Sequence, residues 1–254
     1  GEGLVIGTAC ASALQAMGEG FRRVRSGLSA RVLVAAGDSR LSEGGLLGYG
    51  KAHALSRNPV PEAASRPFDA ARDGFVPGEG GAAFVLEPLE AARSRNARIV
   101  AEVLGFGASL DGGALTAPDE SARYAERAVR DALADAGCAP GEVDWVSAHG
   151  TGTPLNDRSE ALLLERVFAD ARPAVTALKS WIGHGSAACG GMELALLIAA
   201  ARGGMLPPVR NLCEPCSARV DFVRSPRPFP GPVGLLENFG FGGQNAALAV
   251  RLWR

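Results

Sequence analysis

Strand-like apolar runs alternate with helix-like runs along most of this chain, and that alternation restricts the fold more than any other feature. The strand-like runs are 31–36, 81–87, 98–105, 143–148, 174–179 and 246–252. Helix-like runs fall at 11–26, 45–56, 120–136, 157–168 and 189–201. Such an order favours an α/β protein with at least one sheet buried on both faces. The run 120–136 is the clearest helix: Tyr124, Ala128, Leu133 and Ala136 recur at helical spacing, and Gly137 follows as a stop.

With 254 residues, 47% of them hydrophobic, the chain can bury one large core or two modest ones. A formal net charge of -1 argues against nucleic acid or a membrane surface as a general partner, since both select a basic excess. No basic segment leads into an apolar one at the start, and no apolar run is long enough to span a bilayer. Residues 192–201 follow the glycine pair Gly190-Gly191, which reads as a helix cap, and form a buried helix. Five cysteines, an odd number without framework spacing, point to a reducing, cytoplasmic compartment. Cys213-Glu214-Pro215-Cys216 has CxxC spacing, but no second pair or nearby histidine completes a metal site.

Two joints interrupt the pattern. The proline- and charge-rich stretch 56–73 reads as a surface excursion, either a lid or a subunit contact, and 109–118 reads as a second loop. The boundary between two structural units is placed at Asn96, giving 1–96 and 97–254.

Chemistry concentrates where apolar runs end in small residues. Cys10 lies between Leu4-Val5-Ile6 and the helix-like run from Ala11. A helix start favours thiolate over thiol, which makes Cys10 a candidate nucleophile; taken alone, a free cysteine there is more often a small buried hydrophobe. Two of the three histidines, His149 and His184, stand in glycine-rich segments. His149 opens His149-Gly150-Thr151-Gly152-Thr153 at the carboxyl end of a strand, where open α/β sheets place ligands, and the threonine hydroxyls could orient its ring. A phosphate-binding turn is the other reading, although the lysine of a P-loop is missing. Lys179-Ser180-Trp181-Ile182-Gly183-His184 leaves another strand and feeds the helix holding Glu193. Burying a lysine, glutamate and histidine together is costly unless they are paired, so the cluster reads as functional. Asn238 to Asn245, glycine-rich with Phe239 and Phe241, reads as a turn, either a hairpin tip or a gate.

In this order the segments resemble the beta-ketoacyl synthases, the decarboxylative condensing enzymes of fatty-acid and polyketide assembly. Thr8 to Ser12 resembles the family's nucleophile motif, and His149 to Thr153 with Asp157 its first histidine motif. Lys179 to His184 resembles the second, Phe239 to Asn245 the closing glycine-rich loop, and Phe68-Asp69 with Arg72 to Gly80 a further family stretch. Two histidines beside the cysteine resemble the elongating synthases, since initiating ones pair one histidine with an asparagine. Chain-length factors usually lack the cysteine.

The resemblance implies a thiolase-like fold, two α/β halves stacked as α/β/α/β/α layers with mixed sheets. It implies that Cys10 takes an acyl group from a carrier-protein thioester, with the N–H groups of Cys10 and Phe241 as oxyanion hole. His149 and His184 would then stabilise the enolate formed when malonyl-carrier protein loses carbon dioxide. Lys179 and Glu193 would fix the His184 imidazole, while Thr151, Thr153 and Asp157 would orient His149. Phe239, Phe241 and Gly242 would line or gate the substrate path. No metal or organic cofactor is implied, since the phosphopantetheine arm belongs to the acyl carrier protein. The implied assembly is a homodimer or a ketosynthase/chain-length-factor heterodimer.

Family members carry most of a half-domain before the nucleophile, whereas nine residues precede Cys10 here. The expectation is a fragment, or a chain completed by another segment, that alone folds poorly and is inactive. Gly37-Asp38-Ser39-Arg40 replaces the Gly-Ala-Glu-like sequence typical of the family, as a specialised subfamily such as a polyene-making type II system would. Two other functions remain open: a non-catalytic partner in a heterodimer, and a malonyl decarboxylase or thioester hydrolase.

Overall fold

The computed structural model describes residues 1–253. A 3-10 turn at Ala9–Ala11 leads into helix α1, Ser12–Arg25, followed by strand β1, Val32–Ser39, and helix α2, Glu43–Lys51. Strand β2, Glu79–Leu86, helix α3, Leu89–Ser94, and strand β3, Ala101–Leu110, come next. Helix α4, Arg123–Ala136, strand β4, Trp145–Ser147, helix α5, Pro154–Val167, and strand β5, Ala174–Thr176, complete an alternating stretch. The short helix α6, Lys179–Ile182, and the long α7, Cys189–Arg202, precede β6, Met205–Leu206, and β7, Arg227–Pro228. Strands β8, Val233–Gly240, and β9, Gln244–Leu252, close the chain.

The main sheet has the order β3-β9-β8-β4-β5 and is mixed: β8–β4 and β4–β5 are parallel, β3–β9 and β9–β8 antiparallel. Its strands alternate their side chains between two apolar cores, as the twofold period of a strand requires. Leu235, Ala247 and Ala249 join Leu163 and Leu164 of α5 and Val129 and Leu133 of α4 on one face. Leu236, Leu248 and Val250 meet Leu14 and Met17 of α1 and Leu194 and Leu197 of α7 on the other. Beyond α1 and α7 lies the antiparallel pair β1–β2, so the order of layers is helices, sheet, helices, sheet. Leu33 and Val85 on that outer pair are exposed. Among the described residues, no helix is long and apolar enough to cross a membrane.

The sequence-based elements survive with shifted ends, and the differences have local causes. α4 starts at Arg123, because Ala122 adopts a left-handed φ of 56°, and it stops at Gly137 (φ 62°) as expected. α5 starts three residues before Asp157, at Pro154, a residue suited to a first helical turn. Gly190 and Gly191 lie inside α7 rather than capping it. β8 escaped sequence reading, because Gly234, Glu237 and Asn238 interrupt its apolar pattern; all three are buried. The segment read as a turn at 238–245 is thus the β8–β9 hairpin end. The excursion 56–73 packs inward, with Phe68 fully buried against Phe222 at 4.6 Å between ring centroids.

Candidate active site

Cys10 sits in the tight turn ahead of α1, preceded by Ala9 in the left-handed region at φ 47°. That conformation is costly for a residue with a Cβ, and Ser12 supports it. The Ser12 hydroxyl donates to the Ala9 carbonyl at 2.7 Å and accepts the Thr8 N–H at 2.9 Å. Gly240 lies against the turn so closely that a Cβ there would meet the Thr8 carbonyl at 2.7 Å and the Cys10 nitrogen at 3.0 Å. The backbone amides of Phe241 and of Cys10 itself act on the thiol from this turn, each favouring the thiolate. The Cys189 thiol donates to the Cys10 carbonyl at 3.2 Å.

Burial is the largest influence on Cys10 and lifts its pKa to about 11, against the opposing pull of the Lys179 charge and the two amides. The helix start therefore does not make a resting thiolate. Desolvation outweighs it.

His149 is held by its backbone. The His149 and Gly150 N–H groups donate to the two carboxylate oxygens of Glu160 at 2.6 and 2.8 Å, and Asn156 Nδ2 adds a third donor at 3.1 Å. Glu160 had no role in sequence reading; its signal is its place on the first turns of α5, facing back onto the glycine-rich loop. Asp157 performs the same task for Gly152 and Phe68, whose N–H groups reach it at 3.1 and 2.6 Å, with the Arg72 guanidinium 3.7 Å away. Thr151 and Thr153 bond each other at 2.9 Å and line the cavity, and neither is bonded to the imidazole. The expected orienting role passes to Asn238, whose Nδ2 lies 3.4 Å from His149 Nδ1. The same Nδ2 donates to Glu193 at 3.0 Å and to the Glu237 carbonyl at 2.7 Å, which fixes the amide's orientation. Those two bonds use both amide hydrogens, so Asn238 meets His149 Nδ1 as a contact and not as a donor.

His184 is pinned by the stretch around Gly78: its N–H donates to the Val76 carbonyl at 2.7 Å, and Gly78 N–H donates to its carbonyl at 2.9 Å. Its Nδ1 accepts the Ser186 N–H at 3.3 Å, which leaves the proton on Nε2. Lys179 and Glu193 do not bond this ring. They form a buried ion pair at 2.5 Å, and Lys179 acts on the histidines through its charge. Burial first, and then Lys179, push both imidazoles well below their ordinary pKa, so both stay neutral. The rings stand edge-on, 5.4 Å apart, with Phe239 5.7 Å from His149.

Cys10, His149 and His184 line one cavity of about 370 Å³ together with Phe75, Phe239 and Phe241. Phe241 is partly exposed at its mouth, and the 109–118 loop contributes Asp111, Thr116, Ala117 and Pro118. Gly242 does not line it; its N–H donates to the Leu115 carbonyl at 2.7 Å. Behind His149, Glu237 is fully buried without an N–H or hydroxyl donor and lies against Glu160. Burial and the neighbouring carboxylate raise it well above the ordinary range, so it holds the proton of this carboxyl pair.

Residues 1–92 match the family described as beta-ketoacyl synthase, N-terminal domain, and residues 100–213 match beta-ketoacyl synthase, C-terminal domain. The chain belongs to the beta-ketoacyl synthase family. It is 40% identical over 256 residues to 3-oxoacyl-[acyl-carrier-protein] synthase 2 of Coxiella burnetii, covering 98% of this chain and 62% of that protein. It is 41% identical over 251 residues to the Rhizobium meliloti protein of the same description, covering 96% and 59%. The chain thus spans about three fifths of the length of the curated relatives it matches.

Solved ketosynthases share its thiolase-like fold. A beta-ketoacyl synthase from Burkholderia phymatum superposes with a TM-score of 0.91 at 37% identity, over 97% of this chain and 60% of the other. The ishigamide ketosynthase/chain length factor gives 0.88 at 35% identity, over 97% and 60%. A type II ketosynthase solved with its acyl-carrier protein and bound to a hexaketide gives 0.92 at 28% identity, over 98% and 62%.

Proposed function

We propose that this chain carries the catalytic residues of a 3-oxoacyl synthase, which condenses an acyl group held on Cys10 with malonyl-carrier protein. The observation that carries this reading is the meeting of Cys10 with two neutral histidines in one cavity, His184 with its proton on Nε2. Cys10 attacks the acyl thioester and the carrier thiol departs with the proton, so the thiol needs no separate base. The N–H groups of Cys10 and Phe241 stabilise the tetrahedral oxyanion. When the malonyl carboxylate leaves as carbon dioxide, negative charge grows on the thioester oxygen, and the imidazole N–H groups of His149 and His184 are donors for it. The carbanion then attacks the acyl-Cys10 carbonyl, and the thiolate that is released takes up a proton.

Lys179, Glu193, Asn238 and Glu160 act as positioning residues, and Phe239 and Phe241 shape the entrance. The boundary at Asn96 is supported by the separate family matches on either side of it. Acyl carrier protein and a second ketosynthase-type subunit are the proposed partners, by analogy with the solved assemblies. A cytoplasmic setting accords with the five free cysteines.

Radiolabelled malonyl-carrier protein and an acyl donor test the assignment. A beta-ketoacyl product supports it, carbon dioxide alone indicates a decarboxylase, and no turnover indicates a non-catalytic partner. Cys10→Ala should abolish condensation while some decarboxylation continues; condensation that survives refutes the role of Cys10.

A further inference from the structure

We propose that Tyr49 is a specificity residue of the Cys10 cavity: its phenol O–H donates to an oxygen on the bound acyl group, so the site selects acyl chains bearing a hydroxyl or carbonyl over plain hydrocarbon chains. This rests on the reading of Cys10 as the acyl carrier.

No residue of α2 is fully buried, yet Tyr49 turns inward to line the cavity. Its ring meets Phe75 edge-on at 5.0 Å, and Phe75 meets His184 in the same way at 5.0 Å. Tyr49 Oη lies 2.8 Å from Ser186 Oγ. The two hydroxyls carry two hydrogens, and the bond between them uses one. Ser186 is only 4% exposed, does not line the cavity, and its hydroxyl has no other acceptor among the described residues. A buried hydroxyl hydrogen needs an acceptor, so Ser186 donates and Tyr49 accepts. The hydrogen of Tyr49 is then left for the cavity. Burial raises the phenol above its ordinary pKa, which keeps that hydrogen in place.

The arrangement is built rather than incidental. Ser186 occupies the left-handed region at φ 48°, which a serine adopts only when its surroundings hold it there. Two bonds hold it: its own N–H to His184 Nδ1 at 3.3 Å, and the Ala187 N–H to Asp38 Oδ2 at 3.1 Å. Asp38 is itself steadied by Arg40 at 3.0 Å. Asp38 and Arg40 thus set the serine that aims the tyrosine. Beside Tyr49 the cavity wall carries Ala52, Ala54, Phe75 and Phe239 as its apolar surface, with His53 and His184 as its nearby polar groups. A donor fixed in such a wall is left unpaired by a hydrocarbon chain and satisfied by an oxygen, which is a strong basis for discrimination.

The test uses the natural full-length polypeptide with any partner subunit. Acylation of Cys10 is followed by intact-protein mass spectrometry, with N-acetylcysteamine thioesters of octanoate and of its 3-, 5- and 7-hydroxy and oxo derivatives. At least one oxygenated chain should react about ten-fold faster than octanoyl, and Tyr49→Phe should lower that ratio about ten-fold. Ser186→Ala should lower it in the same direction. Equal ratios in the wild type and Tyr49→Phe, or a preference for octanoyl over every oxygenated chain, overturn the role of Tyr49 alone. Failure of every thioester to acylate wild-type Cys10 overturns the acyl-carrier reading and this inference with it.

Discussion

Replacing Glu160 with glutamine leaves the size of the side chain almost unchanged and alters what it can accept. In the native site its two oxygens take the His149 N–H, the Gly150 N–H and Asn156 Nδ2, all in a region sealed from water. Glutamine keeps one carbonyl oxygen and points an NH2 group where the second oxygen was, so at least one buried N–H faces another donor. Glu237 also loses the carboxylate beside its proton. Each buried group left without a partner costs about 1–3 kcal/mol, and two such groups give a loss of about 2–6 kcal/mol in Glu160→Gln. Against a domain stability of about 5–15 kcal/mol, this is readily measured by urea denaturation.

The effect on chemistry should divide. His149 rides on the backbone that Glu160 holds, and a displacement near 1 Å costs about 100-fold where geometry matters. Carbon dioxide release from malonyl thioester should therefore fall by a factor of about 10 to 100. Acylation of Cys10 should change much less, because its turn is held by Ser12 and Gly240. A stability change below about 0.5 kcal/mol, or equal losses of acylation and decarboxylation in folded protein, would refute the reasoning.

Three other outcomes follow from the same geometry. With a Cys10 pKa of about 11, roughly one thiol in a thousand is ionised at pH 8, so iodoacetamide labelling should climb about ten-fold per pH unit from 7 to 10; a plateau below pH 9 would contradict the burial argument. Because both histidine pKa values are depressed, the imidazoles are already neutral at pH 6.5, and decarboxylation should stay level as pH falls from 8 through 6.5; a loss centred on 6.5 would show an exposed, ordinary histidine. Lys179→Met strands the Glu193 carboxylate and should cost about 3–5 kcal/mol in urea melts, with most of that recovered in Lys179→Met/Glu193→Leu; no recovery would mean that the lysine acts through packing.

The parts of the site that sequence reading reached are those written in short segments. Cys10, His149 and His184 each follow or precede small residues that admit close backbone approach, and such signals need no knowledge of distant neighbours. Glu160, Asn238 and Ser186 were passed over because each acts through a partner on another element or through one backbone group. Asn238 is 89 residues from His149 and 45 from Glu193, and nothing local marks it as the bridge between them. β8 was missed for a related reason: the polar residues that hide its strand pattern are buried in the sheet, an environment that local periodicity does not reveal. Gly242 and the two threonines were placed correctly in their loops, but their bonds run to Leu115 and to each other.

The sequence by itself determined the α/β class, the order of the elements and the identities of the thiol and the two imidazoles, because apolar period and glycine placement are local properties. Tertiary structure alone decided the protonation states. Cys10 sits near the start of a helix, yet burial keeps it a thiol, and His149 and His184 remain neutral beside the buried charge of Lys179. Desolvation and long-range charge depend on what packs around a group from every side.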